Sequence, residues 1–316
     1  MKQRIYAAVI IIAMVFTTCQ SLAYAGALDV QKGIDKGELW IATHNLEKAG
    51  IRLEEDGLIP AEERPMERME MANHLLYGWL YGIYGENNIP DANGQSMNWN
   101  NPNLHEEYFL DDFIDHYALN VLFHTGIVKG YPDKTYGANQ LTTVGDAVTF
   151  LIRILGYEDA AEERGGYPEG YMQLARERNL FRNIDKLMEA TENIAEQEFV
   201  MIQSNALFVR MKTEGKSVFE ICSEKQTDYE TREITGRIAF QKGERYGTAY
   251  LVEEGRRYEI YSDYPMLGNK GMMDEFYGAL DGKQVRVLAW VSTEEYAKEY
   301  PNKRDLIYLW DIYEME

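Results

Sequence analysis

The chain has 316 residues, with 52 Asp and Glu against 32 Lys and Arg, for a formal net charge of −20 at pH 7. Such acidity repels nucleic acid and anionic lipid, so neither is an expected partner. Apolar residues make up 45% of the chain and there are 23 Tyr, enough for more than one sizeable core, which excludes global disorder.

Residues 1–25 read as a secretory signal peptide. Lys2 and Arg4 supply the positive start, Ala7 to Phe16 is apolar, and Ala23-Tyr24-Ala25 is a small-residue cleavage site before Gly26. The apolar run is too short to span a bilayer, and no later segment is apolar enough to do so. Cys19 opens a lipid-anchored alternative, although Phe16-Thr17-Thr18 fits a lipobox poorly. The expected product is exported to the cell surface with no membrane segment after cleavage. It keeps one thiol, Cys222, which cannot form an internal disulfide and reads as a small buried hydrophobe.

Three segments then share one grammar: an apolar-periodic helix, a Gly-Ile-like end, a polar loop, and a second helix opened by a short polar motif. Residues 26–84 form the first copy. Trp40 to Ala49 is its first helix, Gly50-Ile51 the stop, and Glu67-Arg68-Met69-Glu70 opens the helix Met71 to Tyr81. Residues 85–105, rich in Asn, Pro and Gly, read as an inserted surface loop; its oxygen-rich side chains could hold Ca²⁺, but the spacing is not that of an EF-hand.

The second copy, 106–160, is the clearest. Asp115 precedes a helix over His116 to Thr125, Gly126 stops it, and Tyr131-Pro132-Asp133 reads as a turn. Leu141-Thr142-Thr143-Val144-Gly145-Asp146 then opens the helix Ala147 to Leu155. In the third copy, 161–215, Gly166-Tyr167-Pro168-Glu169-Gly170-Tyr171 precedes a helix over Met172 to Arg178. Asn179-Leu180 follows it, and Ala195-Glu196-Gln197-Glu198 opens Phe199 to Met211. The stop-to-start distances are 17 residues from Gly50 to Glu67, 17 from Gly126 to Thr143 and 16 from Asn179 to Ala195, a near-constant loop length.

After a linker at 216–230, the periodicity changes to two. Strands are expected over Glu233 to Gln241, Gly247 to Glu253, Arg256 to Ser262, Lys283 to Ser292 and Asp305 to Tyr313, with a helix near Met272 to Leu280. Leu306, Tyr308 and Trp310 fall on one face. The order β-β-β-α-β-β over 231–316 matches an OB-like barrel, with an SH3-like or other small barrel as the alternative. The 12 Lys and Arg against 18 Asp and Glu over residues 228–316 leave no basic stripe for nucleic acid. Tyr246, Tyr250, Tyr258 and Tyr261 read either as wall packing or as a platform for sugar or a protein partner.

The string Gly126-Ile127-Val128-Lys129-Gly130-Tyr131-Pro132-Asp133 resembles the core signature of S-layer-homology repeats, and His116-Tyr117-Ala118 is similar to the family's His-Trp-Ala. The resemblance covers about residues 36 to 212. It implies a pseudo-threefold helical module that attaches non-covalently to secondary cell-wall polysaccharide, often carrying ketal-linked pyruvate. The expected fold class is therefore multidomain α + β: an α-helical pseudo-threefold S-layer-homology module followed by a small five-stranded OB-like β-barrel.

The family opens its second helices with Thr-Arg-Ala-Glu: a hydroxyl cap, a cation beside the positive helix end, and an acid closing the capping box. Here the acid stands at Glu70, Asp146 and Glu198, the Thr only at Thr143, and the Arg only at Arg68. The expected polysaccharide-contacting residues are Arg68, Glu70, Asp115, Gly126, Gly130, Thr143 and Asp146. Each has a plainer reading. The acids and Asp115 can serve as helix caps, the glycines can satisfy turn geometry, and Arg68 can form an ordinary ion pair. Trp40, Trp79, Tyr131 and Tyr167 can stack on sugar or fill the core. The departures at Val144 and Glu196 keep open an exported accessory protein whose repeats serve protein–protein assembly. No catalytic motif, cofactor fingerprint or metal cluster is present; His116 and His124, eight residues apart, are separated by roughly 12 Å of helix rise.

Overall fold

The computed structural model describes residues 34–51, 64–85, 88–97, 109, 116–243, 247–261 and 270–315. The expected signal peptide and Asp115 lie outside them. Helices and a five-stranded sheet divide the described chain between them.

Each copy contributes a pair of helices. The first of each pair are α1, Lys36–Lys48, α3, His116–His124, and α6, Glu169–Glu177. All three stop the same way: Gly50, Gly126 and Asn179 take positive φ of 76°, 76° and 57°. In each the amide then donates to the carbonyl three residues back. Glycine and asparagine tolerate this left-handed turn, so the expected stop signals act as such.

The second helices are α2, α4 and α7. The first, α2, is Arg68–Asn73, which runs on through a π-wound stretch, His74–Leu80, and a last turn, Tyr81–Tyr84. The other two are α4, Val144–Ile154, and α7, Glu196–Ala206. Their buried faces, including Leu75, Trp79, Val148, Leu151, Phe199 and Ile202, form one core. Trp79 donates its indole N–H to Gln203 at 2.7 Å, tying the first copy to the third inside that core. A short helix α5, Glu158–Glu162, lies between the second and third pairs. The inserted loop is anchored rather than merely draped: Ile89 and Met97 are buried in the helical core, and Asp91 folds the turn between them by accepting the amides of Asn93 and Gln95.

The stretch expected as linker, 216–230, is ordered. It carries α8, Val218–Glu224, whose Phe219 packs 4.8 Å from the Trp310 ring, and the start of the first strand. The strands are β1, Tyr229–Gln241, β2, Thr248–Glu253, β3, Arg256–Ile260, β4, Gln284–Ser292, and β5, Leu306–Glu314. Helix α9, Lys270–Leu280, joins β3 to β4, and α10, Glu294–Glu299, joins β4 to β5. The order β1-β2-β3-β5-β4 closes on itself because β4 also pairs with β1 along its length; only β3 and β5 run parallel. Every described strand thus has two neighbours, although β3 and β5 meet over only two residue pairs.

The regular alternation expected in β5 breaks at Trp310. Leu309 pairs with Ala289 and Asp311 with Leu288, so Trp310 bulges out of register. Ile307, Leu309 and Ile312 fill the barrel, while Trp310 and Trp290 leave it and join the helical core. Helix α1 receives them. Asn45 donates to the carbonyl of Trp310 at 2.6 Å, and the Lys48 ammonium donates to that of Leu309. On the same side of α1 Trp40 and Ile41 pack among the barrel residues, while Leu39, Ala42 and Leu46 on the opposite face join the helical core. One helix is therefore buried on two sides, and the helical half and the barrel are packed through it.

Candidate functional site

The openings of α2, α4 and α7 meet around one axis and are joined there by a ring of main-chain hydrogen bonds. Met66 N–H donates to Ile194 at 3.1 Å, Ile194 N–H to Thr142 at 2.9 Å, and Thr142 N–H to Met66 at 2.7 Å. Two residues on, the ring repeats: Arg68 N–H donates to Gln140, Val144 N–H to Glu192, and Glu196 N–H to Arg64. The cycle pairs Arg68 with Val144 and Glu196 as structural equivalents, and Glu70 with Asp146 and Glu198, in the register expected from loop length.

The three equivalent acids behave differently. Glu70 and Glu198 reach back to the amides of Glu67 and Ala195, each at 2.9 Å, and so close their own helix starts. Asp146, one methylene shorter, turns outward instead. It meets Arg68 at 2.5 Å and accepts the Tyr167 hydroxyl at 3.3 Å, while Thr143 caps α4 by accepting the Asp146 amide at 3.2 Å.

Each acid has a cation, but from a different source. Arg68, whose side chain is 5% exposed, crosses from the first copy to Asp146 of the second. Its Nε donates to the Tyr136 carbonyl at 2.8 Å, and its guanidinium lies 4.7 Å from the Tyr136 ring and 5.1 Å from that of Tyr131. Burial works against this charge, but Asp146 and the two tyrosines outweigh it and hold the Arg68 pKa above its ordinary value. At the second boundary the equivalent residue is Val144, fully buried, and Lys186 pairs with Glu198 instead. At the third it is Glu196, and Arg64 bridges Glu196 at 3.3 Å and Glu70 at 2.9 Å.

Aromatic side chains divide by exposure. Trp40 and Trp79 are buried, whereas Tyr131 and Tyr167, which flank the Arg68–Asp146 pair, are 40% and 54% exposed. The loop carrying Tyr131 depends on Gly130, at φ 68°: a Cβ there would press on the Phe109 ring and come within 3.0 Å of the Thr135 carbonyl. Gly126 lies elsewhere, on a separate cleft of about 600 Å³ where Glu158 binds both Lys129, at 2.7 Å, and Arg153, at 2.8 Å.

The chain is similar to cell wall and surface layer proteins. It is 30% identical over 134 residues to the Middle cell wall protein of Brevibacillus brevis, a stretch covering 39% of this chain and 12% of that protein. It is 33% identical over 93 residues to the Surface layer protein of Brevibacillus choshinensis, covering 29% of this chain and 8% of that protein. The match thus spans a small fraction of either relative's length. No protein-family model matches the chain.

Of the residues expected at the site, the fold brings Arg68, Thr143 and Asp146 together, with Gly130 next to Tyr131, whose ring lies against Arg68. Glu70 serves the neighbouring boundary, and Gly126 opens on the other cleft. Sequence reasoning missed Tyr136, which is fully buried under Arg68 and donates its hydroxyl to the Arg68 carbonyl at 2.8 Å. It also missed Arg64 and Lys186, the substitute cations.

Proposed function

We propose that this is a non-catalytic cell-surface protein whose helical half is a diverged S-layer-homology module that holds secondary cell-wall polysaccharide, and whose C-terminal half is an OB-like barrel. The observation that carries the reading is the main-chain ring joining Met66, Thr142 and Ile194, which is what a three-copy module requires. The names of the two relatives and the strand order β1-β2-β3-β5-β4 support it. The polysaccharide lies in the cleft between the first and second copies. Arg68 is already neutralised by Asp146, so it positions the cleft wall, and contact with sugar falls to the ring faces and hydroxyls of Tyr131 and Tyr167.

Co-sedimentation with purified cell walls tests this. The native chain should be retained, and Tyr131→Ala with Tyr167→Ala should release it. Equal retention of that double variant would remove the cleft from the proposal. A native chain that stays in the supernatant would remove wall attachment.

A second reading is an exported accessory protein whose repeats mediate protein–protein assembly. The buried Val144 and Glu196, at two of the three cation positions, favour it. Walls that fail to retain the chain, together with capture of a surface-protein partner, would select it.

A further inference from the structure

Five tyrosines outside the repeat cleft form a continuous line of rings across the barrel wall. Tyr300 lies 4.9 Å from Tyr296, Tyr296 5.3 Å from Tyr229, Tyr229 5.0 Å from Tyr308, and Tyr308 4.8 Å from Tyr261. They come from β1, β3 with its following residue, β5 and the α10 connection, so no local repeat produces the line. A core stripe would be buried. Tyr229 and Tyr308 pack one side against the helical core, but none of the five is fully buried, and Tyr300 is 44% exposed.

Tyr261, at one end, is the wall between two hollows. One, about 280 Å³, lies where α1 meets the barrel and is lined by Trp40, His44, Lys48 and Tyr308. The other, about 400 Å³, is lined by Arg257, Asn302, Lys303 and Asp305. Aromatic walls with a few convergent polar groups are the pattern of a small-ligand site.

We infer that this groove, built jointly by α1 and the barrel, binds a neutral oligosaccharide. Exposed tyrosine rings offer flat faces to the C–H side of a sugar ring, and their hydroxyls and the neighbouring amide and charged groups offer hydrogen bonds to its rim. The charges favour a neutral chain. Glu47, Glu259 and Asp305 interleave with Lys48, Arg257 and Lys303, so neither a polyanion nor a polycation meets a uniform field. Single-stranded nucleic acid also stacks on aromatic rings, but it needs a basic track, and the chain carries −20. Because Trp40 and His44 come from the helical half, the hollow exists only while the two halves are docked.

The test uses the full chain with N-acetylchitohexaose and cellohexaose as neutral probes and a 15-residue oligothymidylate as the nucleic-acid arm. Intrinsic fluorescence and titration calorimetry provide the readouts. At least one hexasaccharide should give saturable binding, and Tyr261→Ala and Tyr308→Ala should each weaken it by about ten-fold or more. Tyr300→Ala, at an exposed position that leaves folding intact, should weaken it by a few-fold. Leu187→Ala, at an exposed position outside both proposed sugar sites, should leave it unchanged. The inference is overturned if neither hexasaccharide binds, if only the oligothymidylate binds, or if Tyr300→Ala and a folded Tyr261→Ala both bind as the native chain does.

Discussion

Arg68 and Asp146 belong to different copies of the repeat, yet their side chains meet at 2.5 Å with Arg68 almost wholly enclosed. The pair therefore reports directly on the boundary between those copies. A buried ion pair is weak evidence of net stabilisation, but removing one partner strands the other. Arg68→Met should destabilise the chain by about 3 kcal/mol, and Arg68→Met with Asp146→Leu should recover much of that loss. Urea denaturation of both variants measures the difference. A single variant as stable as the native chain would show that the boundary does not depend on the pair.

The bulge at Trp310 gives a second prediction. Asn45→Ala withdraws a donor from the Trp310 carbonyl in a buried site, which should cost about 1–3 kcal/mol. Trp310→Ala removes a fully buried ring shared with Phe219 and Trp290 and should cost about 3–5 kcal/mol. Because both changes lie between the helical half and the barrel, fluorescence of the native chain should show one unfolding transition, and Trp310→Ala should split it into two. A single unshifted transition in Trp310→Ala would contradict the shared core.

Glu38 gives a pH dependence. Burial chiefly, with Asp311 next, raises its pKa from 4.5 to about 7, against the lowering effects of Arg182 and the Asn183 hydrogen bond; Asp35 also raises it. The folded state thus holds this proton more tightly than the unfolded chain does. The stabilisation is full below about pH 4.5 and is lost as pH rises through 7. Glu38→Gln, which keeps an uncharged side chain of the same shape, should match the native chain at pH 5 and melt higher than it at pH 8. Equal melting temperatures at pH 8 would refute the assignment.

Much of this architecture was legible beforehand. The stops at Gly50, Gly126 and Asn179, the loop offsets and all five strands follow from local chemistry: positive φ, caps and period-two burial. What stayed hidden depends on partners distant in sequence. Arg68 read as a polysaccharide contact or an ordinary ion pair, and its burial stayed hidden because nothing near it in the chain announces Tyr136 or Asp146. The outward turn of Asp146 rests on one missing methylene. Tyr308 and Trp310 do share the face expected of them, but the bulge at Trp310 was not foreseen, because it is set by the opposing strand and by α1, which precedes it by some 265 residues.

The ring through Met66, Thr142 and Ile194 uses only peptide groups, and that has a consequence for how such a unit can change. Its geometry makes no demand on the side chains it carries, so arginine, valine and glutamate can occupy equivalent seats without disturbing the closure. The same closure makes the copies indivisible: deleting any one would break the circuit and leave the other two with unanswered amides and carbonyls at their centre. Diversification here proceeds by exchanging what the frame displays, never by shortening the frame.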